Sequence, residues 1–286
     1  MDKLKVVKFG GSSLADERGF RRAAEIVLSD EGRRFVVVSA LGVGHNAKTK
    51  ITDDLITAYG ELSGGESKTL DKVLMRFAFL ARELGVAFAD ELIKTRKEIL
   101  KHRRDKAFII SRGEYLTAKL MAKFLGFEFL DAKDFISVRN GELQVKKTRE
   151  NFLSLDKNAR YVIGGFYGSY DVFKKCKCGA TLRKTQKISL LSRGGGDITG
   201  AIASISLRAS VYENYTDVYG VQNSDPRKRP DAQTYASLSR AELFKILESG
   251  AQVIHIDCLK ILAESGIKLV IDNTFDPHKK NTEVLF

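Results

Sequence analysis

Two charged residues beside glycine-rich turns are the first candidates for chemistry in this sequence. Lys8 lies two residues before Gly10-Gly11, and Asp197 directly follows Gly194-Gly195-Gly196. Glycines let backbone N–H groups approach phosphate oxygens closely, and a helix N-terminus after such a turn adds about half a positive charge. Phosphoryl transfer needs mainly positioning and charge neutralisation, so a lysine, a glycine cradle and an acid that orients the lysine are the expected parts. Taken singly, Lys8 also fits a surface lysine and Asp197 a helix N-cap, but the combination favours a phosphoryl-transfer site.

Both turns are predicted to follow elements of an α/β fold. Residues 4–9 form a short apolar run before Gly10, and apolar side chains at spacings of three and four predict a helix after it. The run within 34–39 is typical of a parallel strand covered on both faces. Further strands are predicted at 107–110, 128–131, 161–163, 211–215 and 268–271, and helices at 52–62, 70–84, 91–100, 115–124, 238–247 and 255–263, with another ending at 207.

Two hairpins interrupt this alternation of strands and helices. Arg139-Asn140-Gly141 lies between two short apolar segments within residues 136–145, which is a hairpin signal, and residues 171–191 predict a second, basic hairpin. The predicted class is therefore α/β, with a mainly parallel sheet and hairpin insertions, and no linker marks a domain boundary.

Glycine turns recur after the predicted strands. They begin at Gly10, Gly113, Gly164 and Gly194. In an open parallel sheet the loops at the carboxyl ends of the strands converge on one crevice, so these turns are expected to line a single phosphate-binding site. Neither the Rossmann fingerprint nor the Walker A spacing fits them.

The composition excludes several classes of protein. Of the 286 residues, 43% are hydrophobic, 29% are charged and only 3 are proline, which are values of a folded globular chain. No apolar run approaches the ~18 residues of a membrane span, and no signal sequence is visible, so a cytoplasmic protein without a membrane partner is expected. Cys176, Cys178 and Cys258 lack the four-ligand spacing of a structural zinc site and are expected to be reduced bystander thiols.

Positive charge is in large excess. The chain has 48 Lys and Arg against 36 Asp and Glu, a formal charge of +12, with clusters within 101–104, 174–177, 183–187 and 227–229. Such clusters attract polyanions, although a solvated surface is the simpler interpretation. No helix-turn-helix, RNA-binding-strand or zinc-finger pattern supports nucleic-acid binding, and a small phosphorylated ligand would also favour positive charge.

Short motifs that contain the candidate residues are spread along the whole chain. They are Lys8-Phe9-Gly10-Gly11-Ser12-Ser13, Ser39-Ala40, Ser111-Arg112-Gly113-Glu114, Gly165-Phe166-Tyr167-Gly168, Ser192-Arg193-Gly194-Gly195-Gly196-Asp197, Thr216-Asp217-Val218-Tyr219-Gly220-Val221, Asp225-Pro226-Arg227 and Asn273-Thr274. In sequence and order they closely resemble aspartate kinases of the amino acid kinase superfamily. The resemblance implies a three-layer αβα sandwich of the amino acid kinase (carbamate kinase-like) type, with a mainly parallel central sheet and β-hairpin insertions. It further implies one domain over residues 1–286, with an amino-acid-substrate lobe at about 1–190 and an ATP-binding lobe at about 191–286.

The resemblance also implies a role for each motif residue. Lys8 and Asp197 would be catalytic. ATP would be held by Lys8, Gly10, Gly11, Ser12, Thr216, Asp217, Gln222, Arg227, Gln252 and Val253. Aspartate would be held by Ser39, Thr52, Glu114, Arg193, Gly194, Gly195 and Gly196. Physical chemistry agrees, because a guanidinium fork matches a carboxylate and a carboxylate at a helix start suits an ammonium.

The implied activity is transfer of the γ-phosphoryl group of Mg-ATP to the side-chain carboxylate of L-aspartate. The product, 4-phospho-L-aspartate, feeds lysine, threonine and methionine biosynthesis in the family. ATP and Mg²⁺ are the implied cofactors, no protein metal site is expected, and a homodimer is implied. Two alternatives are another acceptor (acetylglutamate, glutamate, carbamate or a nucleoside monophosphate) and a non-catalytic, regulatory binder. Glu114 argues against a carbamate or nucleotide acceptor, which has no α-ammonium, and retention of Lys8 and Asp197 argues against the binder.

Departures from the family pattern affect expectations of affinity and rate more than of reaction type. Gly196 stands where serine is common, Gln222 where tyrosine is frequent, and Gln252 where lysine is frequent. Many family members continue into tandem ACT domains, whereas only a dozen residues follow Asn273-Thr274 here. No ACT domain is therefore expected in this sequence, and activity is expected to be insensitive to lysine.

Overall fold

The secondary structure alternates between strands and helices along most of the chain. The computed structural model describes residues 3–44, 47–175, 181–192, 194–224, 229, 231–277, 279 and 281–286. Its strands are β1 (Lys5–Phe9), β2 (Arg33–Val38), β3 (Glu128–Leu130), β4 (Val138–Arg139), β5 (Glu142–Leu143), β6 (Tyr161–Gly164), β7 (Tyr167–Lys175), β8 (Thr181–Leu190), β9 (Val211–Thr216), β10 (Ser237–Ser239), β11 (Lys268–Asn273) and β12 (Thr282–Leu285). Its α-helices are α1 (Glu17–Leu28), α2 (Ile51–Glu61), α3 (Lys68–Glu83), α4 (Ala89–Lys101), α5 (Lys106–Leu125), α6 (Ala132–Phe135), α7 (Val145–Phe152), α8 (Gly195–Leu207), α9 (Arg240–Glu248) and α10 (Ile256–Leu262).

One central sheet contains eight of these strands. Eight strands pair in the order β10-β12-β11-β9-β1-β2-β6-β3. Neighbouring strands run parallel, except that β12 is antiparallel to β11. The side chains of Val6, Val7 and Phe9 on β1, and of Val36 to Val38 on β2, are fully buried, as the continuous apolar runs predict for strands covered on both faces. The mainly parallel sheet is thus confirmed.

Helices cover both faces of this sheet. At the end of β6, a Cβ placed on Gly164 would contact the backbone of Glu114 in α5, whereas one placed on Gly165 would lie 2.7 Å from the Cα of Gly196 in α8. Successive residues of an extended chain point to opposite faces, so α5 and α8 lie on opposite sides of the sheet. The architecture is the expected three-layer αβα sandwich.

The strand and turn predicted at 107–113 are wrong. Residues 106 to 125 form the single helix α5, and Gly113 lies in its interior. The side chain of Asp105 accepts a hydrogen bond from the Phe108 N–H (3.0 Å) and starts this helix. A four-residue apolar run does not by itself distinguish a buried strand from a buried helix segment, and the N-cap decides here.

Both predicted hairpins are present. In the β4–β5 hairpin, Asn140 and Gly141 both have positive φ (54° and 81°), as a tight two-residue hairpin turn requires. Strands β7 and β8 pair antiparallel as a separate two-stranded sheet that begins at Tyr167, earlier than predicted. Strands β10 and β12 were not predicted, because three or four residues carry too little pattern.

Among the residues that the structure describes, no helix is long and apolar enough to cross a bilayer.

Candidate active site

The carboxyl ends of four parallel strands meet at one edge of the sheet. Lys8 on β1 is the register partner of Asn214 on β9, and Val38 on β2 is the partner of Gly164 on β6. The glycine turn at Gly10 and the segment beginning at Ser39 therefore leave the sheet side by side. This is the edge at which ligands bind in open parallel sheets.

The predicted catalytic pair is formed. The Lys8 ammonium lies 2.7 Å from Asp197 Oδ1, and the two side chains are 11% and 12% exposed. The same carboxylate oxygen accepts a hydrogen bond from the side-chain amide of Asn214 (3.1 Å). Its other oxygen accepts one from the backbone N–H of His255 (2.9 Å). Every contact that the described residues make with the Asp197 carboxylate is thus a donor, which fixes its position beside Lys8.

The backbone before Asp197 explains why glycine is needed there. Gly194 has a φ of +77°, and a Cβ at this position would lie 2.3 Å from the Cβ of His255. Its carbonyl accepts from the N–H groups of Asp197 (2.9 Å) and Ile198 (3.1 Å). Asp197 therefore lies in the first turn of α8, with Gly194 rather than Asp197 as the N-cap.

The first glycine turn packs tightly on the segment that follows β2. A Cβ on Gly11 would lie 2.7 Å from the Ala40 carbonyl oxygen, and the Gly42 N–H donates to the Gly11 carbonyl (2.8 Å). The Gly10 N–H donates to the Tyr215 carbonyl (3.1 Å). The Lys8 ammonium lies 3.7 Å from the point where a Gly10 Cβ would stand, so the lysine reaches the turn that follows its own strand.

Gly196 joins the two halves of the site. A Cβ placed on it would lie 3.0 Å from Ser39 Oγ and 3.3 Å from Lys8 Cε. A serine at this position would therefore stand between Lys8, which is expected to contact ATP, and Ser39, which is expected to hold the acceptor. The Ser39 hydroxyl occupies part of the space that a side chain at 196 would need.

Glu114 lies in the interior of α5, not at a helix start as expected from the sequence. Its side chain is buried, and its Oε2 has no hydrogen-bond partner. Burial raises the pKa of Glu114 from 4.5 to about 8, against the opposing effects of its own and the Ala40 backbone N–H groups and the Arg112 charge. An unpaired, buried carboxyl oxygen costs free energy unless a ligand donates to it.

The remaining predicted residues are less closely connected to this pair. Thr216 ends β9, and its hydroxyl donates to Asp217 Oδ1 (3.1 Å). Gln252 is exposed, but Val253 lies two residues before His255, whose N–H reaches Asp197. Gln222 forms an isolated bridge with Thr234.

The other predicted positions either lie apart from this pair or fall outside the described residues. Thr52 is in the first turn of α2, where the neighbouring Ile51 packs on Gly113, and Ser12 is exposed. Among the described contacts, none links Thr52, Ser12 or Gln222 to the Lys8–Asp197 pair. Arg193 and Arg227 lie outside the described residues, as do Cys176 and Cys178.

Three groups at the site were missed by sequence reasoning. They are the Asn214 amide, the His255 backbone N–H and the Tyr212 hydroxyl, which donates to the Asp197 carbonyl (3.3 Å). Asn214 is fully buried and its Oδ1 has no partner. The available signal for it was the pair Glu213-Asn214 between the tyrosines of the predicted strand. A backbone donor such as that of His255 has no signal in the sequence.

A buried thiol and the possible metal ligands are the remaining groups of chemical interest. Cys258 is buried, and burial together with the Asp197 charge raises the pKa of its thiol well above 9.0, so it is not a thiolate nucleophile. Within the part of the chain that the structure describes, no group of three or more His, Cys, Asp or Glu side chains could hold a metal ion.

Comparison with known families assigns nearly the whole chain. The model of the amino acid kinase family matches residues 3–273. The chain belongs to the amino acid kinase family. Within it, aspartokinase 3 of Bacillus subtilis is 29% identical over 310 residues, covering 99% of this chain and 63% of the relative. The aspartokinase of Chlamydia trachomatis is 28% identical over 296 residues, covering 97% and 63%.

Solved structures of family members have the same fold. Clostridium acetobutylicum aspartate kinase matches with a TM-score of 0.83 and 32% identity, over 99% of this chain and 62% of the other. E. coli aspartokinase III, solved in complex with aspartate and ADP, matches with a TM-score of 0.80 and 25% identity, over 99% and 64%. The amino acid kinase chain described here thus spans a little less than two thirds of these relatives.

Proposed function

We propose that this chain is the catalytic part of an aspartate kinase, which transfers the γ-phosphoryl group of Mg-ATP to the β-carboxylate of L-aspartate. The observation that carries the proposal is the Lys8–Asp197 ion pair at a glycine turn, within the same strand-end site as the buried Glu114 carboxyl, whose Oε2 lacks a partner. The aspartokinase relatives, which match almost the whole chain, support this choice of reaction.

We call the part of the site around Lys8, Asp197 and the first glycine turn the phosphate side, and its proposed role is to neutralise the charge of the ATP phosphates. Lys8 would contact the transferring phosphoryl group, the Gly10-Gly11-Ser12 turn would cradle the phosphates, and Asp197 would hold the lysine in place. Mg²⁺ would arrive with ATP as part of the substrate, held largely by phosphate oxygens and water. The rest of the nucleotide would lie along residues that follow β9 or precede α10, namely Thr216, Asp217, Gln222, Arg227, Gln252 and Val253.

Recognition of a zwitterion is the work proposed for the acceptor side. The α-ammonium of aspartate would donate to the orphan Oε2 of Glu114, and an adjacent positive charge would shift this carboxyl to its ionised form. Arg193 would pair with a carboxylate of the acceptor. Ser39, Thr52 and Gly194 to Gly196 would complete the pocket.

The chemistry of the acceptor requires no general base. A carboxylate is already ionised at neutral pH, since its ordinary pKa is about 4, so no proton has to be removed before attack. One β-carboxylate oxygen forms a bond to the γ-phosphorus, and the bond to the bridging oxygen breaks with its electron pair leaving on ADP. The residues need only align the two reactants and neutralise charge.

Wider properties of the protein are part of the same proposal. Residues 1–190 would form the amino-acid lobe and 191–286 the ATP lobe. Two copies would associate as a homodimer in the cytoplasm, and the product would enter lysine, threonine and methionine biosynthesis.

The proposal is tested by ADP release with a panel of acceptors. L-aspartate, L-glutamate, N-acetylglutamate, carbamate and UMP would be supplied with Mg-ATP, and acyl phosphate would be trapped with hydroxylamine as a hydroxamate. We expect ADP and hydroxamate with L-aspartate. Turnover with another acceptor and none with aspartate would contradict the proposal.

A further inference from the structure

A groove beside the β7–β8 hairpin contains positive charges from two separate segments of the chain. A cavity of about 900 Å³ is lined by the turn between α4 and α5 and by the β7–β8 hairpin. The turn contributes Lys101, Arg103, Arg104 and Lys106, and the hairpin contributes Lys187. We call these five side chains and their cavity the basic groove. Two of the basic clusters in the sequence, at 101–104 and 183–187, therefore meet in space.

The cations of the basic groove have no partners of their own. All five are exposed, and none forms an ion pair or a side-chain hydrogen bond with any residue that the structure describes. The one carboxylate in the lining, Asp105, is engaged as the N-cap of α5. Like charges crowded round a concave surface repel each other and raise the local concentration of anions.

The walls of the groove are ordered. The Asp105 N–H donates to the His102 carbonyl (2.8 Å), and the His102 ring stacks on Phe108 at 4.4 Å between centroids. Lys187 is the cross-strand partner of Tyr170, which also lines the cavity. The cations thus stand on a structured turn and a paired hairpin, which reduces the ordering cost of binding.

We propose that the basic groove binds a small anion that carries several phosphate groups. Its cavity is of the size of a small-molecule site, about 300 to 1,000 Å³. Nucleic-acid grooves usually add a row of aromatic side chains on which bases stack, whereas Tyr170 and His102 are the aromatic rings in this lining, and His102 is already stacked. This binding is separate from the proposed catalysis and does not depend on it.

The test measures binding of inorganic triphosphate by calorimetry at low and at physiological salt. A Lys8→Ala background keeps the phosphate side of the active site from contributing. We expect Arg103→Ala/Arg104→Ala to weaken triphosphate binding by at least about tenfold, since two charge-assisted hydrogen-bonding groups are lost. Lys187→Ala is expected to weaken it as well, which would tie the hairpin to the turn.

The matched control removes the same charge from the same part of the chain. Lys94→Ala/Lys97→Ala takes two exposed lysines from α4, outside the groove, and is expected to leave affinity within about twofold. Equal losses in the two double variants, or no triphosphate binding in the parent, would overturn the proposal. So would binding of a single-stranded oligonucleotide that requires Arg103 and Arg104 when triphosphate does not bind. Because the readout is binding, a failed acceptor assay would leave this result unaffected.

Discussion

The phosphate side and the acceptor side of the site treat buried charge in opposite ways. On the phosphate side, Asp197 and Lys8 pair with each other, and Asn214 and His255 supply two further donors to the carboxylate. On the acceptor side, Glu114 is buried with one oxygen unpartnered, and its pKa is raised to about 8. The first arrangement is complete without a ligand, whereas the second leaves an oxygen free to accept from one. In the proposed mechanism, preorganised charge would stabilise the reacting phosphate, and the unpartnered carboxyl oxygen would select the acceptor.

Lys8→Ala removes the positive charge of the phosphate side and is expected to have the largest effect on activity. Turnover is expected to fall by at least about 100-fold, on the order of 3 kcal/mol in the barrier, because the charge facing the moving phosphoryl group is lost. Asp197 retains its Asn214 and His255 donors, so the fold should persist. ADP release and a thermal melt measure the two effects. The control is Lys5→Ala, which removes another lysine of β1, one that is paired with Asp30. A near-normal kcat in Lys8→Ala would remove Lys8 from the mechanism.

The acceptor side is broken by Glu114→Ala. KM for aspartate is expected to rise by at least about tenfold while KM for ATP stays within about twofold, since a hydrogen bond to a charged group is lost from one half-site. Arg193→Ala should act in the same direction. Initial rates with each substrate varied in turn give both constants. A larger change in KM for ATP would show that the two half-sites are assigned the wrong way round.

The cost of the buried Glu114 carboxyl is measured by comparing the thermal stability of Glu114→Gln with that of the parent protein. Below pH 4.5 both folded and unfolded Glu114 hold a proton, and between 4.5 and about 8 only the folded form does, so stability falls as pH rises through this window and then levels off. At about 1.4 kcal/mol per pKa unit, the penalty in the ligand-free protein amounts to a few kcal/mol. The glutamine variant escapes it. Its Tm should therefore exceed that of the parent by a margin that widens from pH 5 to pH 8.5.

A second carboxylate provides the control for that measurement. The pKa of Glu61 is lowered to about 2 by hydrogen bonds from Ser67 and Thr69, so it is ionised throughout this range. Glu61→Gln should change Tm by an amount that is constant from pH 5 to pH 8.5. A constant difference for Glu114→Gln as well would mean that Glu114 is ionised in the folded protein.

The smallest effect is expected at Asn214. Asn214→Leu removes one donor to Asp197 but also a buried amide oxygen that has no partner, so kcat should fall only about threefold to tenfold and Tm should not fall. KM for aspartate is expected to change little. Steady-state kinetics measure kcat and KM, and a thermal melt measures Tm. Loss of stability with unchanged kcat would make Asn214 a structural residue and leave Asp197 positioned by its other contacts.

The sequence predicted the parts of the site that depend on local patterns and missed those that depend on tertiary packing. Lys8 lies on a parallel strand, so the carboxyl-end rule placed it at the site. Asp197 follows β8 of the separate β7–β8 hairpin, and the need for an acid that orients the lysine was what linked it to Lys8. The interior position of Glu114 was not predictable in this way, because the apolar residues before it fit a buried strand as well as a helix. The Asp105 cap that resolves the ambiguity is a single residue.

Contacts made by the backbone or by strand register were beyond the sequence. The His255 N–H reaches Asp197 only because α10 begins against Gly194, where any Cβ would collide. Asn214 faces Asp197 only because β9 pairs with β1 in one particular register. Both depend on tertiary packing, which local propensity does not encode.

The central sheet of the described chain ends on each side in a three-residue strand, β10 at one edge and β3 at the other. A free edge recruits another strand through its row of unpaired N–H and C=O groups, and a row this short offers few of them. The sheet is therefore poorly suited to templating growth from molecule to molecule. At these two edges, contacts between copies would come from side chains, whose fit is specific, and not from backbone, whose pairing is available to any extended peptide. The short outer strands thus leave the central sheet little backbone with which to pair another molecule.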